Sequence, residues 1–498
     1  MLYAGFDCST QGLSAVVIDV SGARREVVFR GGLSFDDDLP EFGTDHGVLP
    51  SHVPGVVHAP PLMWAAALER MLGRLTAAVD GSRIRAISGS AQQHGSVYCG
   101  ASPHVLTRAT SPVWMDSSTI RECGEIESAL GGAAAVARLT GSRAFPRFTG
   151  PQIRKFARDA PEAYARTRCI HLVSSYLASL LIEDQAPIDH ADGSGMNLMD
   201  LRTRAWAPEA LEATAPGLAA RLPPLVPSAA VIGPLSPRWQ SRFALPAAKI
   251  VAWSGDNPSS LIGTGLVVEG RIGISLGTSD TIFGPMPEPR VSTDGTGHVF
   301  ASPTGDFMGI TVFLNGSLAR ERVRDQFGLD WNGFSAALAA TEAGNGGAMM
   351  LPWFEPEITP SVPRAAVAWH GLDGAPPARH VRALVEAQMM ALARHSRWMG
   401  VSPVSIHATG GAAANQEILQ VMADVFNAGV CQFESTDSAA LGAALRAWQA
   451  DTALPWTDVT ADFTRPVAGS LIRPVQSHVT MYQALQPRYS DFERTARE

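Results

Sequence analysis

Residues 250–283 read IVAWSGDNPSSLIGTGLVVEGRIGISLGTSDTIF, and this stretch holds two chemical devices that decide the fold. The first, Asp256-Asn257, follows a short apolar run, where a buried strand would end. The second, residues 275–280 (SLGTSD), follows another apolar run and concentrates glycine, hydroxyls and backbone N–H groups in a tight turn. Small residues of this kind let N–H donors approach an anion. A carboxylate base near a turn suited to phosphate predicts phosphoryl transfer.

A similar turn occurs near the N-terminus, at residues 5–11 (GFDCSTQ). Apolar runs and turn residues predict a three-stranded antiparallel meander around each turn. The expected strands are at 2–6, 13–20 and 26–29 in the first half, and at 270–276, 281–283 and 306–313 in the second. This is a weak internal duplication. Two similar domains that face each other would bring both turns to one cleft and hold a polyphosphate from two sides.

Helical periodicity and further apolar runs extend the pattern in both halves. Helices are expected at 60–79, 317–327, 378–399 and 438–449, and strands at 84–87, 404–408 and 430–433. Asn415 is expected to cap a helix that runs to Phe426. The proline-rich segment 223–246 is expected to separate two domains, residues 1–248 and residues 249–498.

The composition predicts a globular protein with a substantial core. The chain has 498 residues, of which 46% are hydrophobic and 17% charged, and this length favours two or more domains. The formal charge of −8 argues against general affinity for nucleic acid or anionic membranes. Five separated cysteines without a CxxC pair are typical of reduced core residues. No signal peptide and no apolar run of about 20 residues is visible, so a cytoplasmic protein is expected.

Several polar groups follow predicted strands, and each has a structural alternative. Asp7, beside Thr10, could hold Mg²⁺ and contact a γ-phosphate, or form an ordinary Asx-type turn. In residues 92–95 (QQHG), His94 could donate a hydrogen bond to a sugar hydroxyl, or be a structural histidine in a surface turn. Asp256 could take the proton from an attacking hydroxyl while Asn257 holds its neighbour, or both could belong to a capped turn.

The nucleotide candidates are weaker when each is taken alone. Gly410-Gly411 before Asn415 would let a nucleotide approach a helix N-terminus, although such glycine pairs are common. Trp331 could stack on an adenine, or be an ordinary packing tryptophan. Neither GxxxxGK[ST] nor GxGxxG occurs, so the P-loop and dinucleotide-binding folds lack their key residues.

Taken together and in order, these motifs resemble the FGGY carbohydrate kinases. The matching segments are GFDCSTQ at 5–11, QQHG at 92–95, WMD at 114–116, GDN at 255–257, SLGTS at 275–279 and ATGG at 408–411. Longer segments, such as PVWMDSST at 112–119 and EILQVMADVF at 417–426, are most similar to the animal-type branch that acts on D-xylulose. The resemblance covers nearly the whole chain, with the last fifty residues weakest.

The resemblance implies an α/β fold of two ribonuclease-H-like domains around a deep cleft, of the actin/sugar kinase/Hsp70 superfamily. It implies ATP-dependent phosphorylation of D-xylulose at its 5-hydroxyl, with Mg²⁺. Residue by residue, it makes Asp256 the general base. It assigns the ketose to Gln93, His94, Arg147, Asp256 and Asn257, the metal and phosphates to Asp7, the two phosphate hairpins to Thr10 and Thr278, and the nucleotide to Trp331, Gly410, Gly411 and Asn415.

Two positions depart from patterns in the family. Gln93 stands where the typical bacterial loop has methionine, which favours the animal-type branch. Pro146 occupies the place of an acidic residue beside Arg147, and this bears on the local conformation and the choice of substrate.

Two other functions remain open from the sequence. One is a kinase for another ketose or polyol, such as ribulose, because sugar choice rests on few side chains. The other is an ATP-driven binding protein of the same superfamily, such as a chaperone or filament subunit, which would have no use for a base at Asp256. The expected partners are a small sugar and ATP, with no nucleic acid or membrane, and the expected state is a monomer or homodimer.

Overall fold

Two mixed β-sheets, one in each half of the chain, form the framework of the protein. The computed structural model describes residues 1–22, 25–292, 295–433 and 436–498. Helices cover both faces of the sheets, as an α/β fold of the expected superfamily requires. None of the described helices is both long enough and apolar enough to cross a bilayer.

The first sheet combines the N-terminal meander with strands that come much later in the chain. Its strands are β1 (Leu2–Cys8), β2 (Gly12–Asp19), β3 (Glu26–Ser34), β4 (Ile84–Ala91), β5 (Val231–Pro234), β6 (Lys249–Val251) and β7 (Ser254–Gly255). Their order is β5-β6-β4-β1-β2-β3, with β7 also paired to β4. β1 to β3 are antiparallel neighbours, whereas β4 is parallel to β1 and β6 is parallel to β4.

The second sheet repeats this arrangement. Its strands are β8 (Arg271–Leu276), β9 (Asp280–Met286), β10 (His298–Ala301), β11 (Phe307–Phe313), β12 (Ser405–Thr409) and β13 (Gly429–Gln432), in the order β10-β11-β9-β8-β12-β13. When the outer strands β5 and β10 are left out, the first sheet has the order β3-β2-β1-β4-β6 and the second has the order β11-β9-β8-β12-β13. In each sheet the last two of these strands are parallel to the central strand, β1 or β8. The internal duplication expected from the two turns is therefore confirmed.

The longer helices pack on these sheets or on one another. They are α1 (Pro61–Ala78), α2 (Ile120–Ala129), α3 (Ala133–Thr140), α4 (Thr149–Asp159), α5 (Val173–Ile182), α6 (Asp256–Gly263), α7 (Ser317–Gln326), α8 (Trp331–Ala339), α9 (Pro377–His395), α10 (Gln416–Phe426), α11 (Ser438–Thr452) and α12 (Gln476–Arg497). Shorter helices lie at Phe35–Asp38, Pro161–Arg166, His190–Gly193, Pro208–Thr214, Pro237–Phe243 and Trp456–Thr460.

Short strand pairs complete the secondary structure. They are His58–Ala59 with Ser111–Pro112, Ser96–Cys99 with Cys169–Leu172, Ile188–Asp189 with Leu225–Val226, Met199–Asp200 with Ala205–Trp206, and Met349–Leu351 with Ala368–His370.

Helical periodicity identified the buried faces well in one helix and partly in another. In α9 the expected face, which includes Val381, Leu384 and Met389, is fully buried. In α1 the buried stripe is centred on Trp64 and Leu68, and Leu62, expected on that face, is 54% exposed. Since Pro61, Met63 and Trp64 beside it are buried, Leu62 is exposed because it lies on the face of α1 that points away from the core.

The strand pairing favours a later domain boundary than the expected one at 248/249. β6 and β7, at residues 249–255, pair with β4 and so belong to the first sheet, and the proline-rich segment 223–246 contains β5 of the same sheet. The apolar pattern could not show that these residues belong to the first sheet, because it does not tell which distant strands pair. We propose instead that the first domain continues to the end of α6 and that the second begins at β8.

α11 adds a connection that the sequence did not predict. This helix follows the second sheet in the chain, yet it packs on β1, β2, β4 and α6. Tyr3, Val251 and Ile262 of the first domain share a buried apolar cluster with Leu445 and Trp448 of α11. The two halves of the protein are therefore joined by an interleaved core.

Candidate active site

The residues expected to bind a sugar lie around one cavity between the two sheets, which we call the cleft cavity. It has a volume of about 410 Å³, and Gln93, His94, Arg147, Asp256 and Asn257 all line it. The second domain contributes the rest of the wall, including Ser279, Thr281, His298, Phe300 and Ile358. The structure thus brings the five separate sequence predictions to one place.

Asp256 stands at the junction of β7 and α6, as the first residue of the helix. Its Oδ1 accepts hydrogen bonds from the backbone N–H of Asn257 at 2.7 Å and from the side-chain amide at 3.0 Å. The same amide donates to Gln93 Oε1 at 2.9 Å, which fixes all three side chains together. Burial, with a smaller contribution from the charge of Asp7, raises the pKa of Asp256 to about 7. A carboxylate with this pKa is suited to accept a proton near neutral pH.

His94 presents a hydrogen-bond acceptor to the cavity. Its Nδ1 lies 2.8 Å from the carbonyl oxygen of Gly195, so Nδ1 must carry the proton that is donated. Burial, with the nearby charge of Arg147, lowers the pKa of His94 to about 3 and keeps the ring neutral. Nε2 therefore has a free lone pair. In this tautomer Nε2 can accept a hydrogen bond but cannot donate one, whereas the sequence led us to expect a donor.

Arg147 carries a positive charge into the same cavity. Its guanidinium lies over the ring of Phe145 at 5.1 Å and donates to Nε2 of His298 at 2.8 Å. No carboxylate forms an ion pair with Arg147 in the described part of the chain. Pro146 takes the place of the acidic neighbour, and its carbonyl oxygen accepts from Thr119 Oγ1 at 2.5 Å. The guanidinium is thus available to a ligand.

Asp7, at the end of β1, has the features of a ligand for a hard cation. Its Oδ1 is buried and has no hydrogen-bond partner among the residues that the structure describes. Burial raises the pKa of Asp7 to about 6, and the negative charge of Asp437 adds to this. Asp256 lies close enough for its pKa to respond to Asp7. Carboxylate oxygens with uncompensated charge are what Mg²⁺ requires, so the residues fit this ion.

Both turns lie next to the cleft cavity. In the first, Thr10 Oγ1 accepts a hydrogen bond of 2.8 Å from the indole N–H of Trp114, which lines the cavity. In the second, Ser279 lines the cavity directly, while the carbonyl oxygen of Gly277 faces the other way and accepts from Ser317 Oγ at 2.6 Å. Thr278 is exposed at the tip of this turn.

Ser317 lines a second cavity, which we call the Trp331 cavity. It measures about 430 Å³ and is lined by residues that include Trp331, Gly411 and Asn415. Asn415 caps α10 through its Oδ1, which accepts from the N–H groups of residues 417 and 418 at 3.0 and 3.2 Å. The second turn therefore lies between two cavities of similar size.

Trp331 and Gly410 have additional structural roles. The Arg324 guanidinium covers one face of the Trp331 ring at 4.5 Å, and the indole is 45% exposed. Gly410 has a φ of +87°, and a Cβ there would lie 2.5 Å from the carbonyl oxygen of Leu276. Gly410 thus allows the chain that follows β12 to pass close to the end of β8, while Gly411 lines the cavity.

Sequence reasoning missed the contribution of the second domain to the cleft cavity. His298 and Phe300 were not singled out as site residues, because no strand was predicted at 298–301. The signal available was the short apolar run at 299–301, which is weak on its own. Asp116, the last residue of the WMD segment, has a structural role. It is 2% exposed, and its carboxylate accepts from the backbone N–H groups of Val57 and Ser118.

Comparison with known proteins agrees with this geometry. The profiles of the FGGY family of carbohydrate kinases match residues 2–263 for the N-terminal domain and 272–450 for the C-terminal domain. The chain is 40% identical to xylulose kinase of Rattus norvegicus, covering 98% of this chain and 96% of that protein. It is also 40% identical to xylulose kinase 2 of Arabidopsis thaliana, covering 90% and 86%. In fold it is similar to the crystal structure of xylulose kinase from Rhodospirillum rubrum, with a TM-score of 0.87, 19% identity and 99% coverage of both chains. The chain belongs to the FGGY family of carbohydrate kinases.

Proposed function

We propose that this kinase transfers the γ-phosphoryl group of ATP to the 5-hydroxyl of D-xylulose and forms D-xylulose 5-phosphate. The observation that carries the proposal is the convergence of His94, Arg147, Asp256 and Asn257 on one cavity that the second phosphate turn also borders. The names of the rat and Arabidopsis relatives support D-xylulose as the sugar.

The cleft cavity offers each polar group that a neutral ketose needs. His94 Nε2 accepts from a hydroxyl, the Arg147 guanidinium donates, and the Asn257 amide is held in place by Gln93. Ile358 and Phe300 supply apolar walls that limit the volume to about 410 Å³. Orientation of this kind is the main requirement of phosphoryl transfer, since little covalent chemistry falls to the protein.

In the transfer step Asp256 takes the proton of the 5-hydroxyl as its oxygen attacks the γ-phosphorus. The bond between the γ-phosphorus and the bridging oxygen breaks, and ADP leaves. The turns that contain Thr10 and Thr278 present N–H and hydroxyl donors to the phosphates from the two domains. Asp7 would hold Mg²⁺, which neutralises charge on the phosphates when it is bound.

The Trp331 cavity is the proposed nucleotide site. Trp331 would lie beside the adenine, and Gly411 and Asn415 would border the nucleotide at the beginning of α10. The second turn, between this cavity and the cleft cavity, would then lie alongside the phosphates. The remaining parts of the proposal, a cytoplasmic enzyme that is a monomer or homodimer, rest on the sequence alone.

A coupled assay of ADP release tests the proposal. The purified enzyme with ATP and Mg²⁺ is given D-xylulose, D-ribulose, and a panel of pentitols and glycerol, and kcat/KM is measured for each. We expect D-xylulose to give the highest value. Absence of turnover with every sugar would contradict a sugar kinase, and faster turnover of D-ribulose or a polyol would contradict the assignment of D-xylulose.

A further inference from the structure

His298 is a buried polar side chain in the cleft cavity to which neither the sequence motifs nor the proposed mechanism assigns a role. It lies at the start of β10 in the second domain and is 4% exposed. Its ring packs edge-on against Phe145 at 4.9 Å and is stacked near Phe300 at 6.2 Å. These contacts fix the plane of the imidazole beside the space that a ligand would occupy.

The hydrogen bond to Arg147 determines the tautomer of His298. A guanidinium can only donate, so Nε2 of His298, at 2.8 Å, must accept. Burial lowers the pKa of His298 well below its ordinary value, and the charge of Arg147 acts in the same direction. The neutral ring therefore carries its single proton on Nδ1.

That Nδ1–H is left without a partner. Nδ1 is buried and makes no hydrogen bond to any residue that the structure describes. A buried donor without an acceptor costs a protein free energy, whereas an acceptor supplied by a ligand recovers it. In a cavity that binds a polyhydroxylated molecule, the missing acceptor is an oxygen of that molecule.

We propose that His298 is a substrate-binding residue that donates from Nδ1 to an oxygen of the ketose. This inference rests on the proposed function and deepens it. His94 of the first domain presents an acceptor and His298 of the second a donor, and both rings contact Phe148, at 4.3 and 5.6 Å. A sugar bound between them would donate one hydroxyl to His94 and accept at another oxygen from His298.

The test replaces His298 and removes sugar oxygens one at a time. His298→Phe keeps the ring and the packing but loses the donor, and His298→Asn keeps an N–H near the position of Nδ1. Each form is measured with D-xylulose, with its deoxy analogues that each lack one hydroxyl, and with the pentitols that lack the carbonyl. The measurements are KM for sugar, KM for ATP, and the sugar Kd by calorimetry.

We expect His298→Phe to raise the sugar KM and Kd about 10- to 100-fold, the size of one buried hydrogen bond lost with its partner unpaired, and to leave the ATP KM unchanged. His298→Asn should recover part of this loss. For one analogue the effects of the substitution and of the missing oxygen on binding should not add. The wild type should bind this analogue as weakly as His298→Phe binds D-xylulose. His298→Phe should bind the analogue no more weakly than it binds D-xylulose.

His407→Phe is the matched control. His407 is also buried in the second sheet and donates from Nδ1 to the carbonyl oxygen of Thr264 at 2.8 Å, away from both cavities. We expect it to lower the melting temperature without changing the sugar KM. The proposal would be overturned if His298→Phe bound the sugar as tightly as the wild type. It would also be overturned if the losses of affinity from the substitution and from the missing oxygen multiplied for every analogue. Failure of the wild type to phosphorylate D-xylulose would instead contradict the proposed function, and the sugar Kd would still test His298.

Discussion

At the scale of single residues, the state of Asp256 is set by opposing effects. Burial and the neighbouring charge of Asp7 favour the protonated form. The N-terminus of α6 and the two hydrogen bonds from Asn257 favour the carboxylate. The balance lies near neutral pH, which suits a group that must accept a proton and later release it.

The first prediction concerns the pH dependence of catalysis. Below pH 7 Asp256 becomes protonated and cannot act as a base, so kcat/KM for the sugar should fall at least about tenfold per pH unit on the acid side, and more steeply below about pH 6, where Asp7 is also protonated. His94, with a pKa of about 3, stays neutral over this range and should not contribute. Initial rates from pH 5 to 9 at saturating ATP and Mg²⁺ measure the profile. A midpoint below pH 5 would contradict the raised pKa.

The second prediction concerns Asp256→Asn, which removes both the base and the buried charge. Phosphorylation should be lost while ATP binding, measured by calorimetry, persists. The folded protein has a pKa of about 7 at Asp256, against about 3.9 in the unfolded chain. The wild type therefore loses stability as pH rises between these values, and the amide does not.

Without ligands, Asp256→Asn should thus be more stable than the wild type at pH 8, by roughly 1–4 kcal/mol, and equally stable near pH 4. Urea unfolding at both pH values measures the difference. Equal stability of the variant and the wild type at pH 8 would mean that the ionised, buried carboxylate of Asp256 does not destabilise the folded protein.

At the scale of elements, a buried ion pair holds the second phosphate turn to α7. Asp280, the first residue of β9, accepts from Arg320 at 2.8 and 2.9 Å, and both side chains are at most 2% exposed. Arg320 Nη1 also donates to Gln388 of α9 at 2.9 Å. The turn is therefore fixed from behind by two helices, and α7 also supplies Ser317 to the Trp331 cavity.

The third prediction follows from this pair. Asp280→Asn leaves the Arg320 charge buried without compensation, so the protein should lose about 3–5 kcal/mol of stability. The turn should also loosen, which raises KM for ATP while the sugar Kd changes little. Glu125→Gln is the control, because Glu125 pairs with Arg121 and Arg154 in more exposed positions and its loss should change the stability little. A normal ATP KM in Asp280→Asn would contradict the role of the pair.

The elements also show what the sequence can and cannot predict. Both meanders, both turns and the cap at Asn415 were predicted correctly, because they depend on local patterns. The position of β6 in the first sheet and the position of His298 in the cleft cavity were missed. Both depend on which strands meet in space, and a residue such as His298 enters the site only through that pairing.

At the scale of the whole molecule, α11 packs against both of the elements that carry Asp256 and Asp7. Its backbone approaches the first domain so closely that a Cβ on Gly442 would lie 1.9 Å from the carbonyl oxygen of Ser259 in α6. Similarly, a Cβ on Gly5 of β1 would lie 2.1 Å from the carbonyl oxygen of Ala440. Since α6 begins with Asp256 and β1 leads to Asp7, this packing helps to fix the base relative to the proposed metal ligand.

The last prediction reverses the usual effect of a substitution in a helix. Replacing a helical glycine by alanine normally stabilises a protein by about 0.5–1 kcal/mol. Gly442→Ala should instead destabilise it by at least about 1–3 kcal/mol, because backbone atoms of α6 cannot move aside as a side chain would. Gly124→Ala is the matched control, since a Cβ there meets nothing within 4 Å on the exposed side of α2. Thermal unfolding should show the melting temperature lowered by the first change and unchanged or raised by the second.

Because α6 carries Asp256, Gly442→Ala should also lower kcat, while Gly124→Ala should not. A Gly442→Ala protein with wild-type stability and kcat would show that α11 does not fix the distance between the base and Asp7.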